Sequence, residues 1–187
     1  AKASEAFDEL LKGKNKKNAF LLVEIGRAYL DQGKTAEAAE YAQRAKDINS
    51  KCAVAYLLSG DIALNLNDVN KASSDYNQAI YLDEDCSEAY FKYAQVYKGV
   101  DPQLSLDMLM RLQSKTPEDN RISKELADVY YTMGQYGKAK EAYENYLKVG
   151  TPTEQDYTRY AMLLYLNKDY AQSLDMVKKG LELAPEN

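Results

Sequence analysis

Small residues return along this chain at a fixed interval, and that interval constrains the fold more than any other feature. Between Ile25 and Ala45 the sequence reads IGRAYLDQGKTAEAAEYAQRA, with Gly26, Ala38 and Ala45 flanking Tyr29 and Tyr41. The spacing recurs 34 residues on as Gly60, Ala63, Ala72, Tyr76 and Ala79. It recurs again as Ala94, Tyr97, Ser105, Leu109 and Leu112, provided the turn there is one residue short. Ala127, Tyr130, Ala139, Tyr143 and Tyr146 form a fourth copy, and Ala161, Leu164, Ser173, Val177 and Gly180 a fifth. A lone amphipathic helix does not need tiny side chains at fixed offsets. They are wanted where one backbone comes close to another, so the chain reads as a stack of similar units. The division is 19–52, 53–86, 87–119, 120–153 and 154–187, after a leading segment 1–18.

Each unit carries two helix-period runs with a short turn between them. In the first, Leu22, Ile25, Ala28 and Tyr29 share a face of helix A, while Ala38, Tyr41, Ala42 and Ala45 share a face of helix B. Helices of about 13 residues are ~20 Å long and marginal alone, so stacking must bury their stripes. Gly26, Gly60, Ala94, Ala127 and Ala161 hold the eighth place of each unit; Ala38, Ala72, Ser105, Ala139 and Ser173 hold the twentieth. The two places are expected to face each other, so that the helix axes approach within ~8–10 Å.

The residues Leu22, Gly26, Tyr29, Ala38, Tyr41 and Ala45, with their later copies and the closing Pro117 and Pro185, resemble the tetratricopeptide repeat family. Departures occur at Ser123, where a bulky fourth residue is usual, and at Leu112 and Tyr146, where the second Ala of helix B is usual. The larger pair is expected to widen or rotate the stacking of units three to five. The resemblance implies an all-α, right-handed superhelical solenoid of antiparallel helix pairs, about five repeats in one continuous domain. The leading segment 1–18 is expected to be helix B of a partial repeat, with Ala3, Phe7 and Leu10 on its packed face. No capping helix follows LELAPEN. A segment of a longer array, or a last helix that meets another chain, is therefore expected. Because the sequence begins at Ala1, it is expected to be processed or cut from a longer one. The compartment stays open between cytoplasm and bacterial periplasm.

Composition narrows function. Net charge is −5, against the basic face that nucleic acid requires. The one basic run, LKGKNKKN at 11–18, reads as a solvated loop. No stretch approaches the ~20 apolar residues of a membrane span. The chain has no His, so the commonest general base and metal ligand are missing. Two Cys without a CxxC exclude a four-ligand structural zinc site. Cys52 and Cys86 close adjacent units, at least one helix spacing apart, and are expected to stay unpaired. Carboxylates are scattered over helix surfaces, without a paired nucleophile and base. No enzyme activity, cofactor or metal is expected.

The resemblance implies a concave groove lined by the A helices that holds a peptide or protein segment. Its lining would be Phe20, Val23 and Arg27, then Val54, Leu57 and Asp61, then Phe91 and Gln95, beside Glu88 and Lys98. Lys124, Asp128 and Tyr131 continue it, then Thr158 and Met162. Val23, Leu57 and Phe91 have a plainer reading as packing between A helices. The family's two-carboxylate clamp is missing: its frame falls on Val23, Arg27, Leu58, Glu88 and Lys92, or on Leu57 and Asp61, or on Phe91 and Gln95. The function expected is a non-catalytic scaffold, with self-association through uncapped ends as the alternative. The small-residue assignment predicts that Ala38→Leu or Ala139→Leu lowers stability by roughly 1–3 kcal/mol through overpacking, read as a fall in thermal midpoint.

Overall fold

Helices A and B meet through the small residues. In the third repeat Ser105 Oγ donates to the Ala94 carbonyl at 2.7 Å, and in the fifth Ser173 Oγ donates to the Ala161 carbonyl at 2.8 Å. A Cβ added to Gly26 would stand 3.3 Å from the Ala38 carbonyl oxygen and 2.7 Å from Leu58 Cδ2. So the eighth and twentieth places face each other in these repeats, and no Cβ fits at Gly26 without displacing a neighbour.

The computed structural model describes residues 6–7 and 9–184. It contains α1 (Ala19–Asp31), α2 (Thr35–Ile48), α3 (Ala53–Asn65), α4 (Val69–Leu82) and α5 (Ser87–Tyr97), then α6 (Pro102–Lys115), α7 (Asn120–Thr132), α8 (Tyr136–Val149), α9 (Glu154–Leu166) and α10 (Tyr170–Leu183). No strand occurs among the described residues. The fold is all-α. The odd-numbered helices begin at 19, 53, 87, 120 and 154, the third interval being one residue short.

The chain divides into two compact units, 1–93 and 94–187, with the break inside α5. In the N-terminal unit α1 packs on α2, α3 on α4, and α2 and α1 both on α3. Its core joins Leu22, Val23, Ile25, Tyr29, Ala38, Ala45 and Leu58. In the C-terminal unit α7 packs on α8, α9 on α10, α6 on α7 and α8 on α9. Ala139, Tyr143, Tyr160, Leu163 and Leu164 form a core there.

Helix starts follow local chemistry. Asn18, Asp68, Asp101 and Asp119 each accept a backbone N–H from the first turn of their helices. Thr153 and Asp156 make a reciprocal capping box on α9. Four hairpin turns place one residue in the left-handed region: Gly33 (φ 73°), Asn67 (59°), Gly134 (70°) and Lys168 (67°). The next N–H then reaches back five residues, as Lys34 to Tyr29 and Asp169 to Leu164. The third repeat lacks this residue, and Asp101 N–H instead bonds Tyr97 four residues back. That is where the missing residue was taken out.

Some expectations change. In the leading segment residues 6–7 and 9–10 are helical, and Phe7 packs edge-on to Tyr29 at 5.3 Å. Leu10 is exposed, whereas Leu11 is buried. Within the basic run Gly13–Lys17 forms a 3-10 helix rather than an irregular loop. Leu112 is fully buried despite its size. Cys52 and Cys86 are both free thiols. Ala3 and Pro185 lie outside the described residues.

Lys168 is exposed and takes a backbone conformation costing an L-residue about 1–2 kcal/mol. Lys168→Gly is expected to raise stability by about 0.5–1 kcal/mol after the entropy of glycine is counted. Asn67→Gly should gain less, because Asn tolerates this region better; thermal midpoints of the two variants test the order.

Candidate functional site

The A-helix faces carry a ladder of polar contacts between residues 27 to 31 apart. In the N-terminal unit Lys92 Nζ pairs with Asp61 at 3.4 Å, and the Tyr76 hydroxyl donates to Asp61 at 2.7 Å. In the C-terminal unit Gln95 Nε2 donates to Glu125 at 2.8 Å, and Arg159 Nη1 donates to Asp128 at 3.0 Å. Lys98 bridges Glu125 (2.9 Å) and Asp128 (3.1 Å). Burial works against charge on Lys98, but these two carboxylates outweigh it and raise its pKa.

Most anticipated lining residues of the N-terminal unit are not available to a ligand. Val23, Leu57 and Phe91 are buried, and Val54 is half-buried. Phe20 is 63% exposed. Asp61 is held by Tyr76 and Lys92. Arg27 is half-buried, and its Nε is buried without a hydrogen-bond partner among the described residues.

The C-terminal unit brings four anticipated residues together, Lys98, Asp128, Tyr131 and Met162. Asp128 and Tyr131 on α7 and Met162 on α9 line a cavity of about 360 Å³ with Lys98, Ala127, Thr132, Tyr143, Arg159 and Leu163. The Tyr131 hydroxyl lies 3.8 Å from Met162 Sδ. Tyr131 (40% exposed) and Met162 (56%) form an accessible apolar rim. Arg159 is exposed and uses only Nη1 on Asp128 among the described residues, so its other N–H groups are open to an acceptor. Gln95, Lys124 and Thr158 do not line this cavity. Thr158 Oγ1 bonds the Glu154 carbonyl within its own helix, and Lys124 is drawn to Asp156 at 2.5 Å.

Asp156 holds the site in place. It is 1% exposed and accepts from the Tyr143 hydroxyl (2.9 Å), the Tyr146 hydroxyl (3.1 Å) and Thr153 N–H (2.9 Å). Burial alone would raise its pKa. Lys124, Thr153 and Tyr143 more than offset this and keep the carboxyl well below the usual range. Tyr143, also a wall of the cavity, is pushed far above its ordinary pKa by burial and by that carboxylate. One aspartate thus caps α9, fixes the ring of α8 beneath the cavity and anchors a lysine of α7.

Reading of the sequence missed Arg159 as a site residue. The signal was there: a carboxylate and a cation 31 residues apart, at the ninth place of one repeat and the sixth of the next, as Asp61–Lys92 and Asp128–Arg159.

Two tetratricopeptide repeat models match the sequence, one over residues 53–86 and the other over 1–51 and 124–187. The chain belongs to the tetratricopeptide repeat family. No curated protein sequence matches it. Among solved structures it is similar to MamA 41-end from Desulfovibrio magneticus RS-1, with TM-score 0.80 and 19% identity over 90% of this chain and 96% of that one. It is also similar to pilF of Pseudomonas aeruginosa, with TM-score 0.76 and 22% identity over 96% and 78% of the two chains. YrrB, described as a TPR protein with an unusual peptide-binding site, gives TM-score 0.75 and 15% identity over 97% and 94%. At such identities the likeness is one of fold. Tetratricopeptide repeat proteins bind proteins or peptides, and this fold is consistent with an interaction scaffold. No described helix is long and apolar enough to cross a membrane.

Because the folded carboxyl of Asp156 has a lowered pKa, its stabilisation is complete above the unfolded value of about 4 and lost as pH falls through the folded one. Asp156→Asn is expected to lower the urea midpoint most at about pH 6 and by a measurably smaller amount at about pH 3, where the loss has begun. An equal deficit at both pH values contradicts the assignment.

Proposed function

We propose that the chain is a non-catalytic scaffold whose C-terminal unit binds a polypeptide segment across α7 and α9. One observation supports this above the others: the cavity between Tyr131, Met162 and Arg159 joins an exposed apolar rim to open guanidinium donors. Such a pairing suits a short segment with an apolar side chain next to an acidic one. Glu125 and Asp128 balance Lys98 and Arg159 in charge, so recognition rests on the Arg159 N–H groups that Asp128 does not use. The N-terminal A helices, with Val23, Leu57 and Phe91 buried, serve as support.

A second reading, self-association, rests on α10. Tyr170, Leu174, Val177 and Leu181 are each 41–57% exposed, while Tyr143, which stands at the place of Val177 one repeat earlier, is fully buried under α9. Such a stripe suits a helix from another molecule.

Selection of about twelve-residue random peptides on the purified chain is expected to enrich an apolar–acidic pair. Arg159→Ala and Met162→Glu are expected to weaken the enriched peptides at least about tenfold, as truncated hot spots do. Peptides indifferent to both variants, joined to light scattering that shows concentration-dependent growth abolished by Val177→Glu, favour the second reading.

A further inference from the structure

The fourth place of each repeat carries Leu22, Tyr56, Tyr90, Ser123 and Tyr157. The bulky side chains at this place are buried at Leu22 and Tyr90 and half-buried at Tyr56 and Tyr157. Leu22 is fully buried and Tyr90 is 5% exposed. The Tyr56 hydroxyl donates to the Ser50 carbonyl at 3.3 Å, and Lys46 Nζ stands 5.1 Å from the ring centre. The backbone of the fourth repeat is built to the same plan, but its side chain ends at a hydroxyl.

Beside Ser123 the C-terminal unit has a cavity of about 270 Å³. It is lined by Leu126, Tyr130 and Ala142 and by the polar Ser123, Gln113, Lys138, Glu141 and Asn145. Gln113 precedes Ser123 by ten residues, as Lys46 precedes Tyr56, so the residue at the place of the lysine that covers the Tyr56 ring lines this cavity. Tyr130 offers an aromatic face, with Lys138 Nζ 5.4 Å from its centre. Tyr146, large where Ala79 and Gly180 are small in other repeats, does not fill the space: its hydroxyl is turned to Asp156 and Lys124 lies over its ring. The residues Ser123, Leu126 and Tyr130 follow one helical stripe of α7, on the side away from Asp128, Tyr131 and Thr132. This cavity is therefore separate from the one assigned to the proposed function.

We propose that the cavity at Ser123 is a socket for one aromatic side chain, tyrosine before others, presented by a partner polypeptide. Three of the other four repeats carry a tyrosine at this place of the repeat. The lining mixes the apolar surfaces of Leu126, Tyr130 and Ala142 with a larger share of donors and acceptors, which suits a phenol, a ring that carries a hydroxyl. The partner would complete the fourth repeat as Tyr56 and Tyr90 complete their own.

The test titrates p-cresol and N-acetyl-tyrosinamide into the full chain and follows side-chain methyl resonances. Both probes are expected to shift Leu126 and Ala142, with dissociation constants on the order of millimolar for ligands of this size. Ser123→Tyr and Ser123→Leu, which install the side chains of neighbouring repeats, are expected to raise the thermal midpoint and weaken both probes at least about tenfold. Shifts unchanged in both variants, or centred elsewhere, overturn the proposal. Binding of p-cresol without the tyrosine amide overturns it too, since the socket then takes free small aromatics. If neither variant folds, the space is not ring-shaped and the proposal fails.

Discussion

Two helices can lie side by side at backbone distance only where side chains are given up. A Cβ at Gly60 would stand 2.6 Å from Cδ1 of Tyr76 and 3.0 Å from Cζ. The ring already occupies the room that a methyl group would need. Serines solve the same problem differently at Ser105 and Ser173, which turn their hydroxyls onto the carbonyl of the facing helix. The rest depends on this closeness. With the axes near, Tyr76 spans the hairpin to Asp61, and between successive repeats Tyr143 on Asp156 and Tyr160 on Glu144 join α8 to α9.

That dependence explains what could be read from the linear sequence. The small residues at the eighth and twentieth places and the periodic faces announce the hairpins, and helices begin at 19, 53, 87, 120 and 154. The short third turn was visible as a spacing of 33, and the structure supplies its cause, the absent left-handed residue. Side chains of the site were less legible. Asp128, Tyr131 and Met162 meet in one cavity, yet Arg159 beside them was not among the anticipated lining. Val23 and Lys124 show the opposite limit. Position along the helix put both on the A face, but Val23 sinks between helices and Lys124 is captured by a buried carboxylate. Helical period fixes direction; it does not fix what waits there on the next repeat.

The polar ladder on the A helices is close to neutral within each rung. Lys92 answers Asp61, and Lys98 with Arg159 answers Glu125 with Asp128. Ion pairs of this exposure contribute little each. Their effect is selective: they cancel most charge on the face and leave few groups with unmet valence. Arg159 beside Tyr131 and Met162 is one, and the buried Nε of Arg27 is another.

The tyrosine–carboxylate bonds have a spectroscopic side. Burial and an adjacent acid push Tyr76, Tyr143 and Tyr160 far above the ordinary phenol range. These rings resist losing their protons while their helices remain closed, and the stability they lend fades as alkalinity rises past the unfolded value of about 10. With no tryptophan to mask them, the late-rising part of the tyrosinate absorbance, beyond that of the exposed tyrosines, becomes an intrinsic gauge of helix separation. The chain carries its own dye.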